Sequence, residues 1–62
     1  MNYSVDYMLD NEMAINYFVF EHEAKHFAVD IAYEGFNPVI CEFGKIIGKI
    51  ETFGNCKAFV YI

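Results

Sequence analysis

Two apolar runs, IIGKIETF (46–53) and CKAFVYI (56–62), are separated only by Gly54 and Asn55. No other stretch constrains the fold as much. A two-residue connection between β-forming runs signals a hairpin, because the primed turns that match strand twist need positive φ, which Gly and Asn tolerate. Such a turn sets Phe53 opposite Cys56, Thr52 opposite Lys57, Ile50 opposite Phe59 and Lys49 opposite Val60. Strand alternation then divides the side chains. Ile46, Ile50, Phe59 and Tyr61 fall on one side; Ile47, Phe53, Cys56, Val60 and Ile62 fall on the other. Both sides are apolar. An antiparallel sheet with one face in water carries polar residues on that face, so this pattern predicts that something covers the second face.

Upstream, residues 3 to 9 alternate, with Tyr3, Val5, Tyr7 and Leu9 on one side and Ser4, Asp6 and Met8 on the other. Asp10-Asn11-Glu12 supplies a turn, and MAINYFVFE (13–21) is rich in β-formers. Gly35-Phe36-Asn37-Pro38 breaks the chain, and VICEF followed by Gly44-Lys45 opens another hairpin. Between these lies a segment with two competing periods. Ala24, Phe27, Ala28, Ile31 and Ala32 have helical spacing, Glu21 and Lys25 form an i,i+4 pair, and Gly35 and Pro38 are stop signals. The large residues Phe27, Val29, Ile31 and Tyr33 follow period two instead, which favours a strand over 26–34. The expected fold is one domain over 1–62, all-β or β-dominated: an antiparallel meander of five or six short strands with tight hairpins. A helix around residues 20–34 is the alternative for the middle.

Size sharpens the prediction of a covered face. A chain of 62 residues buries only about 60% of its unfolded surface. Yet 56% of these residues are apolar, including seven Phe and five Tyr. The apolar supply exceeds one small core, so an obligate oligomer is expected, most simply a twofold homodimer. Tyr3, Tyr7, Ile47, Phe53, Val60 and Ile62 are the candidates for a dimer or partner interface. Tyr17 and Tyr33 join the first two tyrosines in a set suited either to the core or to protein contacts.

Charge excludes some partners. Nine acidic residues face four lysines and no arginine, for a net charge of −5. Nucleic-acid binding needs clustered cations that displace counterions, and Lys25, Lys45, Lys49 and Lys57 are scattered among carboxylates. A basic protein surface fits better. No apolar run approaches the about 18 residues of a membrane helix, and MNYSVDY has neither the basic nor the apolar region of a signal peptide. A soluble, cytoplasmic protein with no membrane partner is expected, with Cys41 and Cys56 free.

One motif speaks for catalysis. His22-Glu23-Ala24-Lys25-His26 fits H-E-x-x-H, which on a helix puts two histidines on one face for zinc with a glutamate as general base. A catalytic zinc needs a third protein ligand. The extended form H-x-x-G-x-x-H fails, because Val29 and Ala32 stand where Gly and His are needed, leaving Asp30, Glu34 or Glu42 as substitutes. His22 and His26 are therefore candidate metal ligands, in a small metal-dependent hydrolase or at an incidental surface site, and no cofactor is expected. Asp6, Asp10 and Glu12 lack calcium-loop spacing and suggest a solvated acidic turn, and GKIIGK lacks the phosphate-loop pattern. Neither cysteine has a sequence context that marks an activated thiol.

In length, acidity, aromatic content and lack of a catalytic constellation, the chain resembles the small inhibitors that phages encode against bacterial defences, such as anti-CRISPR and anti-Hachiman proteins. The resemblance implies a non-enzymatic protein that binds and blocks a bacterial defence protein in the host cytoplasm. No family residues map onto this sequence by motif. The other class of function compatible with the composition is a structural subunit of a larger assembly.

Overall fold

The computed structural model describes residues 2–62. Its elements are β1 (Tyr3–Leu9), β2 (Glu12–Phe18), α1 (Glu21–Tyr33), β3 (Val39–Glu42), β4 (Lys45–Phe53) and β5 (Cys56–Tyr61). The five strands form one antiparallel sheet in the order β2-β1-β3-β4-β5. The fold is β-dominated, with five strands and tight hairpins. Its order departs from a strict meander because the helix carries the chain from the edge strand β2 across β1 to β3.

Each hairpin follows from its turn residues. Asp10 and Asn11 both take positive φ, as do Phe43 and Gly44, whereas only Gly54 does in the last turn. In that turn Phe53 pairs with Cys56, Thr52 with Lys57, Ile50 with Phe59 and Lys49 with Val60, the register that a two-residue loop dictates.

The middle of the chain is a helix, not the strand favoured over 26–34. Small residues decide it. Ala24, Ala28 and Ala32 recur every four positions beside Ile31 and are all buried, so the helix lies close on the sheet. Val29 is half-buried and Tyr33 exposed, so the period-two series of large side chains does not mark the buried face. The helix ends where glycine permits. Gly35 has φ +103°, its N–H donates to the Ala32 carbonyl, and the Phe36 N–H donates to the Ile31 carbonyl. This is a Schellman closure. Phe36 then packs edge-on against Tyr7, with ring centroids 5.3 Å apart.

The core lies between helix and sheet. Val5 and Ile40, paired across β1 and β3, are fully buried against Ala24, Ala28 and Ile31. Tyr3, Tyr7, Phe18, Phe27, Ile50 and Phe59 close its margins. Gly48 sits in this layer because an added Cβ would strike the Phe59 ring and come within 2.6 Å of the Val60 carbonyl oxygen. The sheet is irregular at one point. Ile40 pairs with Gly48 but Cys41 pairs with Ile46, so the ladder bulges at Ile47. Among the described residues no helix is long and apolar enough to cross a membrane.

Candidate functional site: the uncovered sheet face

Alternation fixes what the other side of the sheet carries. Since Val5 and Ile40 point to the helix, Ser4, Asp6, Val39 and Cys41 point away from it. Their neighbours on β2 are Tyr17, paired with Ser4, and Ile15, paired with Asp6. On β4 the bulge turns Ile46 to this side, opposite Cys41, and Lys49 stands opposite Val39. In the last hairpin Phe53, Cys56, Val60 and Ile62 alternate onto the same side. Among the described residues no element lies across this face. Ile15, Tyr17, Ile46 and Phe53 are all exposed, and Ile62 keeps 77% of its surface.

A hollow of mixed polar and apolar lining interrupts this surface. It measures about 160 Å³ and is lined by Asn2, Tyr3, Ser4, Asp6, Ile15, Tyr17 and the Phe43-Gly44 turn. The Asp6 carboxylate is poorly satisfied there. Its Oδ1 is buried with no hydrogen-bond partner, and its Oδ2 accepts only the Cys41 thiol at 3.8 Å. Burial pushes the Cys41 thiol up from its usual range, and the Asp6 charge beside it pushes the same way. Cys41 is thus a protonated, buried thiol with the character of a small core residue. Cys56 is free and exposed.

The helix side is built differently. Lys25 lies 2.6 Å from Glu21, donates to the Tyr61 hydroxyl at 2.8 Å, and stands 4.6 Å above the rings of Phe59 and Tyr61. Tyr61 in turn donates to Glu21. The hydrogen bonds from Lys25 and Tyr61 lower the Glu21 carboxyl below its ordinary range, and the Glu21 hydrogen bond raises Lys25 above its own. At the other end of the core, Tyr3 donates to Glu42 at 3.1 Å, which raises the phenol. The first clasp ties the helix to the edge strand β5, and the second ties β1 to β3 within the sheet.

The sequence candidates separate across these two sides. Phe53, Val60 and Ile62 lie on the uncovered face. Tyr3 and Tyr7 lie on the helix side, half-buried against the core, and Ile47 is the half-buried bulge residue packed against it. Tyr33 is exposed on the helix, and its hydroxyl accepts the Lys57 backbone N–H at 2.8 Å. Asp6 does not belong to a solvated acidic turn with Asp10 and Glu12. It sits within β1 between Ile15 and Val39.

The H-E-x-x-H residues do fall on a helix, with His22 and His26 one turn apart and exposed. His22 stacks on Phe20, with ring centroids 5.7 Å apart, and His26 Nε2 lies 3.8 Å from Asp30 Oδ2. Among the described residues no group of three His, Cys, Asp or Glu side chains gathers to hold a metal ion. Sequence reasoning missed the Ser4–Asp6–Cys41 cluster. The signal available was Asp6 itself, a carboxylate inside an alternating strand and not at its end.

Comparison of the chain with protein-family models, with curated proteins and with solved structures finds no match.

Proposed function

We propose that this protein is an acidic protein-binding module that acts by occupying surface, in the manner of the phage-encoded inhibitors it resembles, and that it associates through its uncovered sheet face. The target class on this reading is a bacterial defence protein in the host cytoplasm. One observation carries the proposal. A whole sheet face holding Ile15, Tyr17, Ile46, Phe53 and Ile62 has no covering element among the described residues. Exposed apolar patches beyond a few hundred Å² on small soluble proteins mark binding surfaces. The net charge of −5 selects against nucleic acid and favours a basic protein surface.

The test uses the immobilised chain in bacterial lysate beside light scattering of the purified protein. Wild type is expected to form a stoichiometric complex, with itself or with a captured protein, and Ile15→Glu and Phe53→Glu are expected to abolish it while far-UV circular dichroism stays native. A chain that associates with nothing, or whose complexes survive both substitutions, overturns the proposal.

A further inference from the structure

One row of cross-strand neighbours crosses the whole uncovered face. Ile15 stands opposite Asp6, Asp6 opposite Val39, Val39 opposite Lys49, and Lys49 opposite Val60. The central strand is β3, with an anion one strand to one side of it and a cation one strand to the other. Rotation by half a turn about an axis along β3 lays this row on its own reverse. Val39 then meets Val39, Asp6 meets Lys49, and Ile15 meets Val60.

We propose that the uncovered face is occupied by a second copy of this chain, in this register, with two Asp6–Lys49 ion pairs related by the twofold axis. The inference rests on the reading of this face as a protein interface. Three further observations support it. Asp6 is a carboxylate without an adequate donor: Oδ1 is buried and unpartnered, and the thiol contact at Oδ2 is long. Such a group is costly to bury unless a cation or donor reaches it. Lys49 is exposed and has no ion pair among the described residues, and within its own chain it stands two strands from Asp6, about 10 Å away. Oδ1 is enclosed by the chain's own atoms, so the interface serves the carboxylate through Oδ2, where the monomer offers only the thiol.

Size and geometry agree. The two longest extents of the molecule are 32 and 25 Å, so its broadest outline is at most about the 800 Å² that each partner contributes to a standard interface. Face-to-face sheets pack about 10 Å apart with strands aligned to within about 30°, which an axis along β3 satisfies and which the combined reach of an aspartate and a lysine spans. The contact is isologous, so it closes at two copies and does not propagate into a filament.

Light scattering and sedimentation over 1 to ~300 µM, chosen to bracket an ordinary interface of this size, test the proposal with charge swaps. Wild type is expected to be a dimer. Asp6→Lys and Lys49→Glu each turn two attractive pairs into two repulsive ones, and each is expected to raise the dissociation constant by about tenfold or more. Mixing the two variants makes both pairs complementary again, as does the double variant, and dimers are expected to return in both cases. Lys49 is exposed, so Lys49→Glu keeps the test open if Asp6→Lys fails to fold. A monomeric wild type overturns the second-copy assignment, and a dimer indifferent to Lys49→Glu or unrestored in the double variant overturns the register. If wild type is monomeric yet captures a protein that Phe53→Glu releases, this inference falls and the binding-module proposal stands.

Discussion

Under the helix, Val5 and Ile40 of the sheet meet Ala24, Ala28 and Ile31, and all five are buried. On the reverse side, Ile15, Ile46 and Phe53 are of similar character and stand about half exposed. The same β-forming residues serve both faces, so hydrophobicity does not distinguish them. The difference is what lies opposite. Three small alanines let a helix cover one face closely, and the described residues supply no second layer for the other. Sheets are stable when both faces are matched to their surroundings, and the asymmetry is the reason the association proposed above is assigned to the uncovered face.

The largest test of this contrast removes a side chain from the covered face. Ile40→Ala is expected to destabilise the chain by about 2–5 kcal/mol, read by urea denaturation, because Ile40 is fully enclosed. An effect near zero would mean the helix face is not the core. Gly48→Ala comes next, at about 1–3 kcal/mol, since its methyl group must displace the Phe59 ring and crowd the Val60 carbonyl. The uncovered face is expected to respond to concentration instead. The thermal midpoint of wild type should rise with protein concentration, while that of Ile15→Glu should not, because only native chains associate.

Two finer measurements sharpen the comparison. Cys56 is expected to react with a thiol reagent well before Cys41, whose thiol is buried and kept protonated, and denaturant should abolish the difference. Equal rates in the native state would place Cys41 in solvent. The smallest effect concerns the Glu21–Lys25–Tyr61 clasp. The folded Glu21 carboxyl lies below its ordinary value of 4.5, so its contribution is complete above pH 4.5 and is lost as pH falls through the lowered value. Lys25 lies above 10.5, so its contribution is complete below pH 10.5 and is lost as pH rises through the raised value. Glu21→Gln is expected to flatten the acid limb of a stability profile, and only slightly, because a pair that is about a third exposed is still screened by solvent.

The hairpins were legible in the sequence because turn chemistry is local. Gly54-Asn55 fixed a register that the structure reproduces pair for pair, and the alternation from Tyr3 to Leu9 assigned both faces of β1. The helix was less legible, because side-chain size is not the same signal as burial. Its hidden face is made of three alanines and Ile31, while Val29 and Tyr33, two of the four large residues that suggested a strand, are not on that face. The placing of Ile46 was not legible at all. Simple alternation grouped it with Ile50, but the bulge at Ile47 reverses it, and a bulge depends on the neighbouring strand and not on local sequence. For the candidate face, Phe53, Val60 and Ile62 followed from the hairpin. Tyr3 and Tyr7 are under the helix, because their alternating series is the one that holds Val5.

The placement of β1 bears on how the chain acquires its shape. β1 is flanked by β2, which follows it at once, and by β3, which begins only at Val39. The opening hairpin can zip early, yet its other flank waits until the helix has formed and carried the chain back to join Ser4 with Cys41. Closing that long excursion is an entropic toll that local hairpins do not meet, so docking of β3 beside β1 should set the pace of folding. Kinetic variants would show it: weakening the β1–β3 seam should slow refolding, whereas loosening the final hairpin should mainly hasten unfolding.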